Sequence, residues 1–215
     1  MKGKTHLIIG VAIGTIAAMH HLPEQNNSLY YIGVAAFSAL AADLDGPSIL
    51  SSKLTKLSKF IRSFALWGSI IYFAIIAYMY FMSMHVPLLL AGGAIAALLI
   101  GLTMKQGIIR NALVSVIGLY CIYHGITNNQ QWLVGLGIFI AWAPWLKHRG
   151  LTHTIWVIPM WGWIGWGLEQ QLAINGLANT AMIGYLSHLI ADTLTPSGVK
   201  WLFPIWKKSF KLKLW

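Results

Sequence analysis

Residues 87–104 read Pro-Leu-Leu-Leu-Ala-Gly-Gly-Ala-Ile-Ala-Ala-Leu-Leu-Ile-Gly-Leu-Thr-Met, a run without an ionisable side chain. Such a run is long enough for one helix to cross the hydrocarbon of a bilayer, whereas a surface helix of a soluble protein carries a polar face. Seven further apolar segments accompany it, at about 5–22, 29–43, 65–84, 108–126, 132–146, 154–170 and 177–192. Of these, 29–43 and the last three are short for independent spans. The composition agrees: of 215 residues, 57% are hydrophobic and 9% charged, where a soluble domain has about a quarter charged. A soluble domain and a disordered chain are both excluded. The expectation is an all-α, polytopic membrane protein of about eight hydrophobic helices, forming a single integral membrane domain over residues 1–215.

The formal net charge of +10 would point to nucleic acid in a soluble protein. In a membrane protein it points first to cytoplasmic loops, so no nucleic-acid partner is expected. With a cytoplasmic N-terminus and every segment crossing, all fifteen Lys and Arg fall on the inner side. The outer turns near 23–28, 84–87, 127–131 and 170–176 then carry none. Lys2 and Lys4 before the first apolar run resemble the start of a signal peptide, but His20-His21-Leu22-Pro23-Glu24 offers no small-x-small cleavage site, and the segment is read as a retained helix. Leu50, Leu54, Leu57, Ile61 and Phe64 recur at three- and four-residue steps, with Lys53, Lys56, Lys59 and Arg62 on the other side. This predicts a basic amphipathic helix over about 47–64, lying on the inner surface. The basic, aromatic tail 197–215 likewise suits anionic lipids. Cys121 is the single cysteine, so an intramolecular disulfide and a thiolate zinc site are excluded.

The acidic residues are Glu24, Asp43, Asp45, Glu169 and Asp192, and the topology puts the three aspartates at inner ends of spans. A carboxylate there meets the negative end of a helix dipole and is disfavoured unless a cation compensates it. His6, His148, His153 and His188 fall on the same side, whereas His20, His21, His85 and His124 fall at or near the outside. His188 and Asp192, four apart, share a helix face. His148 and His153 do not, but Gly150 between them allows a loop that turns both imidazoles inward. Asp43 and Asp45 must be presented by the Asp-Gly-Pro turn. Four segments thus bring His6, Asp43, Asp45, His148, His153, His188 and Asp192 to one membrane face as a metal-ligand set. Imidazole and carboxylate without thiolate suit one or two divalent ions, zinc first, with manganese or iron as alternatives. The plainer reading of the same residues is a polar network that packs helices. No His-Glu-x-x-His and no Gly-x-Ser-x-Gly occurs, so neither a zincin nor an elbow-type serine hydrolase is indicated.

Lys4-Thr5-His6 with Gly10, Asp43-Leu44-Asp45, His148-Arg149-Gly150-Leu151-Thr152-His153 and the run from His188 through Asp192 to Thr195-Pro196 resemble, in order and from end to end, the YdjM-like family of bacterial and archaeal inner-membrane proteins. The resemblance implies a membrane location and metal-dependent hydrolase activity. Arg149 and Asp45 are assigned to catalysis, the guanidinium of Arg149 suiting a phosphate or carboxylate. Thr152, Thr193 and Thr195 are expected to be oxygen partners of ligating imidazoles. The expected function is a membrane-embedded metal-dependent hydrolase with its site at the cytoplasmic face, acting on a phosphoester or lipid-linked ester. A metal-ion transporter and a non-catalytic membrane scaffold are the alternatives. The expected location is a bacterial or archaeal inner membrane, multi-pass, with both termini cytoplasmic.

The one-sided charge distribution generates a direct test. A cysteine placed at position 56 is expected to react with a membrane-impermeant maleimide only after the inner face is opened. Labelling of intact spheroplasts at that position would overturn the topology.

Overall fold

The computed structural model describes residues 2–21 and 27–212; the expectations for the end of the tail at 213–215 and for Glu24 lie outside them. The described residues hold eight α-helices: α1 (Gly3–His20), α2 (Ser28–Ala41), α3 (Ser52–Phe81), α4 (Leu88–Thr103), α5 (Gln106–Thr127), α6 (Gln131–Trp142), α7 (Val157–Leu172) and α8 (Leu177–Thr193). Strands are absent among them apart from one antiparallel bridge, Val199 to Phe210. The chain is therefore all-helical, and each apolar segment of the sequence contains one helix or most of one.

Only α3 and α5 are long and apolar enough to cross a bilayer by themselves; α4 and the segment starting at α6 are apolar but shorter. Eight crossings therefore do not follow from helix length and composition. The physical reason is plain at α2 and α6, which have 14 and 12 residues where a span needs about 17 or more. One expectation is corrected at α3. The basic amphipathic stretch and the third apolar segment form one helix of 30 residues rather than a surface helix followed by a span. Between Phe60 and Trp67 neither Gly nor Pro interrupts the backbone ladder, so the basic turns continue into the apolar ones. Residues 47–51 form a turn instead, in which the Ser51 hydroxyl accepts from Ser48 N–H at 3.0 Å.

The chain divides into two compact units, residues 52–113 and the remainder. In the first, α4 turns back along α3. Arg62 Nε donates to the Gly101 carbonyl at 3.0 Å, and a Cβ on Gly101 would lie 2.8 Å from Leu66 Cα, so the backbones touch there.

In the second unit α1 buries a single stripe, His6, Gly10 and Gly14, at four-residue steps. The stripe lies on α2: a Cβ at Gly10 would fall 2.8 Å from Ala36 Cα and from Ala39 Cβ. Close approach through small residues is how helices associate where burial of apolar area against lipid gains nothing. The same device joins α8 to α2, where Gly184 meets the Ala35 carbonyl, and α7 to α8, where Gly165 meets Ala178 and Ala181. Beneath the aspartate-bearing turns, Trp161 Nε1 donates to Ser38 Oγ at 2.7 Å, and its ring lies 5.0 Å from Tyr185 and 4.9 Å from Phe139. These contacts tie α2, α6, α7 and α8 together.

Because His6 continues the glycine stripe, Gly10→Val is expected to push α1 off α2, costing about 1–3 kcal/mol and lowering the thermal unfolding midpoint in detergent. Gly33→Ala, where nothing lies within 4 Å of the added Cβ, is the matched control and is expected to leave the midpoint unchanged or slightly raised.

Candidate metal centre

Three one-turn 3-10 segments, Ala42–Asp45 after α2, Ala143–Trp145 after α6 and Leu151–His153 before α7, lie at one end of the helices of the second unit. Asp43 and Asp45 ride on the first of these turns and His153 on the third. His6 comes from the start of α1, and His188 and Asp192 from the end of α8. All belong to residues 1–51 and 114–215.

His188 and His153 face each other through Nε2, 3.2 Å apart. Their proton positions follow from their other ring nitrogens. His188 Nδ1 lies 2.7 Å from the carbonyl of Ala39, which only accepts, so Nδ1 carries the hydrogen and Nε2 the lone pair. Thr152 Oγ1 donates to Asp45 Oδ2 at 2.6 Å, which leaves its oxygen, 3.0 Å from His153 Nδ1, as an acceptor. His153 Nδ1 also lies 3.3 Å from Asp45 Oδ2, and so it too carries the hydrogen. Both Nε2 lone pairs therefore point at one place with no hydrogen between them. Around it stand Asp43 Oδ1, 3.7 Å from His188 Nε2 and 4.0 Å from His153 Nε2, and Asp192 Oδ2, 3.9 and 3.8 Å from the same atoms. His6 stacks on His188 with ring centroids 3.9 Å apart and has Nε2 3.4 Å from Asp192 Oδ1. It is 1% exposed, and neither of its ring nitrogens has a hydrogen-bond partner among the described residues.

Two lone pairs that meet with no hydrogen between them, beside carboxylates, repel one another unless a cation joins them. Three groups, His6 with Asp43 and His188, Asp43 with His148 and His153, and His153 with His188 and Asp192, each offer three ligand atoms within 4.8 Å of one another. That is a spacing one divalent ion can close. These groups, most of them buried, could hold a metal ion, and a His6 ring that makes no hydrogen bond among the described residues fits that use better than a hydrogen-bonded packing network.

Of the seven residues expected as ligands, Asp45 is in none of the three groups. Its Oδ1 lies 2.6 Å from His148 Nδ1, and its Oδ2 accepts from Thr152 and, at 3.1 Å, from the Arg149 backbone N–H. Burial pushes the Asp45 carboxyl up, but the hydrogen bonds from His148 and His153 outweigh burial and hold it well below the usual carboxylate range. The same bond to Asp45 raises His148. Asp45 thus orients imidazoles. His148 differs from the inward position expected of it: its side chain is 54% exposed, at the rim of the cluster.

Arg149 is also placed differently. Its Nη2 pairs with Asp192 Oδ2 at 2.9 Å, and Nη1 donates to Thr195 Oγ1 at 3.3 Å and to the Gly198 carbonyl at 3.1 Å. The fork expected for a substrate anion is thus engaged by the protein itself. Arg149 has φ +59, an uncommon conformation for a residue with a Cβ, and it is stabilised by contacts on both sides of the cluster. Gly150 serves by its lack of a Cβ, which would lie 2.6 Å from the Lys147 carbonyl. Of the threonines only Thr152 meets an imidazole. Thr193 donates to Leu189 O and accepts from Trp201 Nε1, and Thr195 donates to the Asp192 carbonyl. Two participants escaped the sequence reading. Tyr185 OH donates to the Thr152 carbonyl at 2.5 Å, and its place three residues before His188 was a visible signal. The Ala39 carbonyl had none, being backbone.

A family model described as YdjM inner membrane protein matches residues 1–215, the whole chain. No curated protein and no solved structure matches it.

Since the carboxylate bond is the main cause of the raised His148 value, Asp45→Asn is expected to move the His148 titration towards lower pH. Nitrogen-resolved NMR of labelled imidazoles checks this; an unmoved titration would show that Asp45 does not hold His148.

Proposed function

Because this chain belongs to the YdjM inner membrane protein family, we propose that it is a polytopic, metal-dependent hydrolase of the inner membrane, with its site at the cytoplasmic face. The observation that carries the reading is the pair of opposed Nε2 atoms of His153 and His188 with the buried His6 ring, which makes no hydrogen bond among the described residues, beside them. Large apolar side chains exposed on helices other than α3 and α5, such as Ile8 and Ile16 on α1, Leu29 on α2 and Ile183 on α8, support their contact with lipid. The charge bias supports eight crossings with both termini inside, and anionic lipids as neighbours of the basic ends.

His6, Asp43, His153, His188 and Asp192 would hold the ion, with His148 completing it from the rim. Zinc suits the donor set best, with manganese or iron next. A divalent ion held there supplies Lewis-acid chemistry of the kind that hydrolyses esters. The chain's own residues do the rest. Asp45 and Thr152 keep the His153 lone pair aimed inward, and the Ala39 carbonyl does so for His188. Arg149 keeps Asp192 turned to the cluster and compensates its charge. Asp45 holds Nδ1 of half-exposed His148 at the rim of the cluster. A phosphoester or lipid-linked ester remains the proposed substrate class. Its support is the basic inner surface and no longer a free Arg149 fork.

Asp192→Asn, isosteric but uncharged, is expected to abolish hydrolysis and to lower bound metal about 10-fold or more while the protein still inserts and elutes as one species. Metal content by mass spectrometry and turnover of phospholipid and isoprenoid-phosphate substrates are read together. Full metal and full activity in the variant would make Asp192 a packing residue. Metal bound to a wild type that turns over no ester would favour transport, and a wild type without metal would favour a scaffold.

A further inference from the structure

A second concave site lies at the far ends of α6 and α7 from the histidine cluster. His148 follows the end of α6 and His153 precedes the start of α7, whereas this groove is formed by the start of α6, the end of α7 and the α5–α6 turn. The 12 residues of α6 and 16 of α7 separate the two ends by about 18–24 Å along the helices. The groove is open and offers about 490 Å³, room for a small ligand.

Its lining has an unusual composition. Three indoles, Trp132, Trp163 and Trp166, stand among six carboxamides, which run from Asn128 to Gln131 on the turn and continue at Gln170 and Gln171 on α7. Neither an ionisable side chain nor an aliphatic one lines it among the described residues. A recognised phosphate, carboxylate or ammonium would call for an opposite charge, and an acyl chain for aliphatic walls. Carboxamides offer donor and acceptor side by side, which matches hydroxyl groups. Indole faces carry negative charge density, which matches the polarised C–H face of a sugar ring.

The walls are built rather than incidental. A Cβ on Gly135 would collide with the Trp163 side chain, and one on Gly167 with that of Trp132, so both side chains pack directly against the backbone of a neighbouring helix. Trp132 Nε1 donates to Gln171 Oε1 at 2.5 Å, which fixes the ring and orients the amide. Trp163, Trp166 and Gln170 follow at three- and four-residue steps on one face of α7, and Trp163 and Trp166 remain 44% and 54% exposed. We propose that this groove binds a neutral saccharide, as a free glycan or as the head group of a glycolipid. On the topology proposed above, it faces the side opposite to the metal centre.

The test uses the full chain in phosphatidylcholine nanodiscs. One arm titrates chitotriose and maltotriose by calorimetry. The other compares nanodiscs with and without a neutral glucosyl-diacylglycerol, reading retained glycolipid by native mass spectrometry. Binding in the first arm assigns a free glycan, and binding in the second alone assigns a lipid-linked head group. In either case Trp166→Ala and Gln170→Ala are each expected to weaken binding about 10-fold, and Trp67→Ala in α3 to leave it unchanged. Gln170→Ala places a good helix former at an exposed position and keeps the test decisive should Trp166→Ala fail to fold. Absence of binding in both arms, or binding that Gln170→Ala and a folded Trp166→Ala leave unchanged, overturns the proposal. The indoles would then be anchors at the membrane interface.

Discussion

The hydrogen bond from His188 Nδ1 to the Ala39 carbonyl, 2.7 Å long, is the constraint on which the centre depends. Ala39 lies in the last turn of α2, where carbonyls lack a full set of intrahelical partners, and α2 gives way there to a tighter turn. The imidazole that satisfies this carbonyl must place its hydrogen on Nδ1 and so expose a lone pair at Nε2. One backbone contact therefore docks α8 on α2, sets a tautomer, and aims an electron pair at His153. Because His188 is fully buried, water cannot compensate a wrong ring orientation, and the cost of an unsatisfied buried group maintains the geometry.

A second layer of contacts holds the carboxylates. Asp45 and Asp192 are both almost wholly buried, and each has a cationic or hydrogen-bonding counterpart from the segment 148–153. Arg149 serves both at once, through its backbone N–H to Asp45 and its guanidinium to Asp192. This explains why a long, charged residue occupies a left-handed backbone position: the turn has to present its amide to one carboxylate and its side chain to the other. Removing Arg149 would leave the buried Asp192 charge without that partner, the costly half of a buried ion pair.

Glycine placement relates packing to chemistry. His6 lies on the same narrow stripe as Gly10 and Gly14, so the depth at which α1 settles on α2 also sets how near the His6 ring comes to His188. At the other end of the bundle, Gly135 and Gly167 perform the corresponding task for indoles. Apolar helices in lipid gain little from burial as such, and fine control of distance falls to residues that let backbones touch.

Residue order alone set the helical class, the position of each apolar segment, the basic excess and the residue types that gather near the ends of the helices. All of these are properties of neighbours along the chain: hydropathy over one helix length, spacing over one or two turns, and charge between segments. His6, Asp43, His153, His188 and Asp192 were legible as one group because their chemistry is costly in an apolar setting wherever they are placed. Tertiary structure alone decided that Asp45 orients imidazoles, that Arg149 engages its fork on Asp192 and that His148 stays half-exposed. Lone-pair direction, hydrogen-bond satisfaction and desolvation depend on which atom of a distant segment comes within about 3 Å, and no local pattern encodes that distance.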